Sequence, residues 1–105
     1  MNSNTLVRTS DPETSKKAAA RTVAKLNAFR RAVLVLVREE PLTIGSELNR
    51  LYQLRYERRE WPAAKYDTPR KRLSTLHDMG LVEPVGVKDG ERQWMITEAG
   101  LQVIA

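Results

Sequence analysis

Apolar and polar positions in this chain follow two different periods. From 13 to 40 there is no Gly or Pro, and Val23, Leu26, Phe29, Val33, Leu36 and Val37 recur three or four residues apart. That spacing is the stripe of an amphipathic helix. Asn27 is a good cap, so the stretch divides into helices over about 12–25 and 28–39, with one long helix as the alternative. Val33-Leu34-Val35-Leu36-Val37 is apolar on every face, which makes the second helix the most buried element. Pro41 ends it. Thr43 then serves as cap for a helix in which Ile44, Leu48, Leu51 and Tyr52 share a face, running to about Arg59. Residues 61–67 form a connector, because Pro62 disfavours helix at Trp61.

Thr68 caps the following helix, with Pro69 at its first position. Leu73, Leu76 and Met79 face the core, and Gly80 is the stop. Beyond it the period changes to two. Residues 82–87 and 92–96 read as strands around Asp89-Gly90, the strongest short hairpin signal. This register sets Lys88 opposite Glu91 and Val85 opposite Trp94. Pro84 restricts its strand to a sheet edge or a strand start. Thr97 caps a last short helix, weakened by Gly100. At the other end, residues 1–10 are a polar, flexible arm, and Ser10-Asp11-Pro12-Glu13 starts a helix. Residues 11–105 are therefore one domain with an N-terminal helical extension, mainly α with a small β-hairpin.

Composition narrows the function. A chain of 105 residues supports one small core. With 41% hydrophobic residues it is too apolar for a disordered chain. The absence of cysteine excludes disulfides, thiolate zinc sites and redox motifs. The longest apolar run, 32–37, is too short to cross a bilayer, and the first ten residues hold no signal-peptide core. The expectation is a soluble, cytoplasmic protein without a membrane partner. The net charge is +5, and it is unevenly placed. Residues 1–40 carry eight Lys/Arg against four Asp/Glu, 41–80 eight against five, and 81–105 two against four. The basic charge lies in the helical part, which favours a polyanion such as nucleic acid.

A basic helix backed by a hairpin is the layout of a winged helix-turn-helix domain. The run Arg72-Leu73-Ser74-Thr75-Leu76-His77-Asp78-Met79-Gly80-Leu81-Val82-Glu83, then Asp89-Gly90 and Trp94-Met95-Ile96-Thr97-Glu98-Ala99-Gly100, resembles the MarR and PadR repressor families. The likeness covers roughly residues 28–105. Asp11-Pro12-Glu13-Thr14-Ser15, with Ala18-Ala19-Ala20 behind it, is similar to small winged-helix proteins of actinobacterial phages. The resemblance implies DNA binding, often as a dimer, with recognition-helix residues in the major groove. The connector at 61–67 departs from the three- or four-residue turn of the standard motif.

Arg70, Lys71 and Arg72 fill the first turn of the Thr68 helix, where cations oppose the helix dipole. That placement makes sense if phosphates or guanine edges approach the turn. Thr68, Arg70, Lys71, Ser74 and Thr75 lie off the Leu73/Leu76 face. The plainer alternative is a solvated turn paired with Asp67 or Asp78. Lys17, Arg21 and Lys25 recur every four residues and could grip phosphates, or form an ordinary solvent face. Tyr56, Trp61 and Tyr66 alternate with basic residues, and packing against the core is favoured over base stacking. His77 is the only histidine, so neither a metal site nor a nucleophilic relay is expected. Glu39-Glu40 and Glu57/Glu60 read as surface carboxylates rather than a nuclease cluster.

The expectation is a cofactor-free, non-enzymatic, sequence-specific binder of double-stranded DNA, a homodimeric transcriptional regulator of bacterial or phage origin. The rival is a protein-interaction module that docks on a host protein.

Overall fold

The structure is a computed structural model, and it describes residues 26–105. The helix expected over about 12–25, and with it Lys17, Arg21 and Lys25, lies outside the described residues. Four helices and a three-stranded antiparallel sheet follow in the order α1 (Ala28–Glu39), β1 (Thr43–Ile44), α2 (Gly45–Arg55), α3 (Thr68–Asp78), β2 (Val82–Lys88), β3 (Glu91–Ile96) and α4 (Glu98–Val103). The sheet order is β1-β3-β2.

Helix α1 begins where Asn27 caps it, its Oδ1 accepting the Arg30 N–H at 2.8 Å. Ala32, Val33, Leu34, Leu36 and Val37 are buried and Val35 is half-buried, so the apolar run 33–37 packs into the core on nearly every side. Each large side chain here contributes about 1.5–3 kcal/mol of burial. Thr43 is not a helix cap. It lies in β1 opposite Trp94 and is buried, while Ile44 pairs with Gln93 and is itself the N-cap of α2. The β-branched pair fits an extended strand better than a helix start. Helix α2 stops at Arg55, short of Arg59, and Glu60 in the following turn has a positive φ of 59°.

The connector to α3 is packed down rather than loose. Tyr52, fully buried on α2, meets Phe29 edge-on at 5.4 Å and stacks on Trp61 at 5.4 Å and Tyr56 at 6.1 Å. Its hydroxyl donates to the Pro62 carbonyl at 2.5 Å, and burial pushes its pKa up to about 12. Gln53 Nε2 donates to the Ala64 carbonyl at 3.0 Å. Tyr56 and Trp61 are thus packing residues, whereas Tyr66 is 59% exposed.

Asp67, not Thr68, is the N-cap of α3. At the other end the stop is a full Schellman motif: Gly80, at φ 79°, donates to His77, and Leu81 donates to Leu76. Both leucines are buried, giving the apolar contact that accompanies this motif. In the hairpin, Asp89 and Gly90 take φ of 53° and 78°, the positive pair of a type I′ turn. Lys88 opposes Glu91 as expected. Val85 does not oppose Trp94. Pro84 takes that place, Gly86 opposes Gln93, and Val85 is the extra residue of a bulge, 42% exposed. Proline on this edge strand has no N–H to contribute. Thr97 caps α4, accepting the Gly100 N–H at 3.1 Å and donating to the Gly80 carbonyl at 2.7 Å.

Candidate nucleic-acid interface

The first turn of α3 leaves unusually few donors without partners. Thr68 N–H reaches the Lys65 carbonyl at 3.0 Å, and Pro69 has no N–H. The next, Arg70 N–H, donates to Asn49 Oδ1 at 2.9 Å. Asn49 is a buried residue of α2, so one helix caps the other where they meet. This capping locks the backbone that carries the three cations. Nothing in the local sequence marks Asn49 for the role, because its partner is twenty-one residues away.

From that fixed backbone the side chains spread over three faces, with Pro69, Leu73 and Leu76 buried beneath them. Arg70 and Ser74 line a cleft of about 310 Å³ between α3 and β3. Lys71 is exposed and pairs with Asp67 at 3.3 Å. Both partners are more than half exposed, so the pair is worth about 0–1 kcal/mol and readily exchanged. Arg72 and Thr68 turn towards α1, lining a second recess beside Asn27, Phe29 and Arg30. The Arg72 guanidinium lies 6.0 Å from the Phe29 ring centre. Thr75 is half-buried. The six predicted α3 residues are therefore brought together on one helix but not on one surface.

Three other basic side chains are engaged by carboxylates. Arg55 pairs with Glu40 at 2.8 Å and Glu39 at 3.4 Å, and Arg59 pairs with Glu39 at 2.8 Å. The Arg59 hydrogen bonds hold the Glu39 carboxyl below its usual range. These carboxylates tie the end of α1 to the end of α2. Arg50 is paired with Glu47. Among the described residues no group of three metal-ligating side chains occurs, and no helix is long and apolar enough to cross a membrane.

The sequence assigned no binding role to the cleft's remaining residues. Its walls include His77 from α3, in edge contact with Trp94 at 5.8 Å, and Arg92 from β3. Glu91 caps α2 from β3: Oε2 accepts the Ser46 hydroxyl at 2.6 Å and Oε1 the Ser46 N–H at 3.0 Å. These bonds, hydroxyl first, hold the Glu91 carboxyl below its usual range, with Arg70 adding a smaller effect. The Lys88–Glu91 pairing was legible, but the carboxylate's true partner lies across the sheet. Compared with known proteins, the chain matches no family model, no curated protein and no solved structure.

Proposed function

We propose that the chain is a winged helix-turn-helix protein that binds double-stranded DNA sequence-specifically, with α3 as the recognition helix and the β2–β3 hairpin as the wing. The observation that carries this reading is the first turn of α3. Arg70, Lys71 and Arg72 are set on a backbone clamped by Asn49; Lys71 pairs with Asp67 in an exposed turn, Arg70 and Arg72 form no ion pair among the described residues, and Arg50, Arg55 and Arg59 are engaged by carboxylates. Cations at a helix start cost stability unless anions approach. Phosphate contacts supply affinity, and base-edge contacts from the exposed α3 surface supply sequence choice.

In this reading the protein acts as a transcriptional regulator, without a cofactor, and as a homodimer on half-sites about one helical turn apart. The test is a gel shift on random and selected duplexes with Arg70→Ala, Lys71→Ala and Arg72→Ala. Removing one phosphate-binding cation should lower the salt slope by about one unit. Folded variants that bind both duplexes as the parent does would refute the reading.

One observation favours the rival, a protein-docking module. Edge strand β2 exposes Val85 at 42% and Val87 at 71%, and an open edge can accept another strand. Retained capture of a protein partner by a chain that fails to shift DNA would make that reading the better one.

A further inference from the structure

Arg70, Arg92 and Glu91 all line the cleft between α3 and β3, and their arrangement is asymmetric. The Arg70 stem lies against Gly45 at the start of α2. A Cβ built on Gly45 would stand 3.2 Å from Arg70 Cβ, 3.5 Å from its Cδ and 3.4 Å from Glu91 Oε1. A glycine here lets both side chains settle onto the helix start, which any larger residue would crowd. Arg92 enters the same cleft from β3, and the Ser74 hydroxyl joins it from α3. Neither Arg70 nor Arg92 forms an ion pair among the described residues. Glu91 is committed elsewhere, with both oxygens on Ser46. It fills the place at the α2 N-terminus that an external anion would otherwise take.

We propose that this cleft is a phosphate notch, in which Arg70 and Arg92 hold one backbone phosphate of duplex DNA while Glu91 acts as the built-in competitor. The assignment rests on the DNA-binding reading. It makes Arg70 a residue that positions the helix rather than one that reads a base edge. Edge reading then passes to Lys71, further round α3. Of the three cations Arg70 lies nearest the helix tip, a place from which a side chain could meet base edges. The path of its stem over Gly45 points it to the sheet instead.

The test uses the full chain and two probes. Inorganic phosphate is titrated first, followed by amide and indole NMR shifts. The expected result is shifts confined to Gly45, Ser46, Ser74 and the Trp94 indole, lost in Arg92→Ala and tightened several-fold in Glu91→Gln. Glutamine keeps an acceptor for the Ser46 N–H, so that variant retains the α2 cap. Duplex DNA is titrated second, against salt. Arg92→Ala should lower the salt slope by about one unit, and Glu91→Gln should raise affinity for random duplex several-fold. If the parent binds duplex and both variants keep its slope and affinity, the notch is overturned and DNA binding stands. If phosphate shifts the cleft but no duplex binds, the backbone assignment is overturned together with the DNA reading. If phosphate leaves the cleft unperturbed and no duplex binds, both fall.

Discussion

Asn49→Ala isolates the link between packing and the candidate interface. Asn49 is 3% exposed and makes one bond that matters to α3, accepting the Arg70 N–H at 2.9 Å. The N-cap residue Asp67 supplies no side-chain acceptor of its own. Removing the amide therefore leaves a helix-start donor without a protein partner in a partly buried place. Lost caps cost about 0.5–2 kcal/mol, and an unsatisfied buried donor about 1–3 kcal/mol. A loss of about 1–2 kcal/mol is expected, with Tm falling by about 4–16 °C for a domain of this size. Urea unfolding is the assay, with an unchanged m-value showing that the same surface unfolds. Duplex affinity should fall as well, in the fully folded variant, because the frayed turn carries Arg70 and Lys71. Gln53→Ala is the control. It removes a bond from the same helix to the connector and should leave affinity unchanged. A stability loss under about 0.5 kcal/mol, the range of ordinary surface substitutions, would refute the inter-helix cap.

Trp94→Ala should cost about 3–5 kcal/mol by urea unfolding, since the ring is 8% exposed and closes the core beneath the sheet. Gly100→Ala should destabilise by about 1–3 kcal/mol, although alanine is the better helix former. Its Cβ would collide with the Leu81 carbonyl oxygen and stand 2.6 Å from Ile96 Cγ1, so a raised Tm would contradict this packing. Glu39 has a folded pKa below its ordinary 4.5, through Arg59 first. Its stabilising contribution is present above that value and is lost as pH falls through the lower folded pKa. Unfolding followed downwards from about pH 5 should show a shallower acid loss in Glu39→Gln than in the parent. Equal slopes would show that the Arg55/Arg59 cluster does not hold Glu39 in its charged form.

The elements that were legible are those whose signals are local. Asn27 as a cap, Gly80 as a stop, Asp89-Gly90 as a turn and Thr97 as a cap each depend on residues within a few positions, and each occurs as read. The misreadings share the opposite property. Thr43 has the side chain of a cap, but the edge of β3 was available to pair with it, and a ladder partner fifty-one residues away outcompeted local capping. The hairpin register slipped at Val85 because alternation alone cannot reveal a bulge. Pro84, which gives no N–H, was the local hint that pairing would be irregular there. Gly100 looked like a weak helix residue. Its requirement comes from Leu81 and Ile96, which a one-dimensional reading cannot place beside it.

The candidate interface follows the same division. The cations of α3 were visible because they are consecutive, but their inequality was not. On a helix, neighbours in sequence point about 100° apart, so three consecutive cations must diverge. Arg70 goes to the sheet, Lys71 to Asp67 and solvent, and Arg72 to Phe29. Counting charges also overstated the basic surface around them. Residues 41–80 carry eight Lys/Arg, yet Arg50, Arg55 and Arg59 are each within an ion pair. What distinguishes the start of α3 is thus not the number of its positive charges. It is that Asn49, Gly45 and Glu91, all outside the helix, hold its backbone and bound the space beside Arg70. An electrostatic surface built in this way responds to substitutions at neutral or acidic positions as much as to loss of an arginine. Asn49→Ala and Glu91→Gln, with opposite expected effects on affinity, are for that reason more discriminating than any further charge deletion.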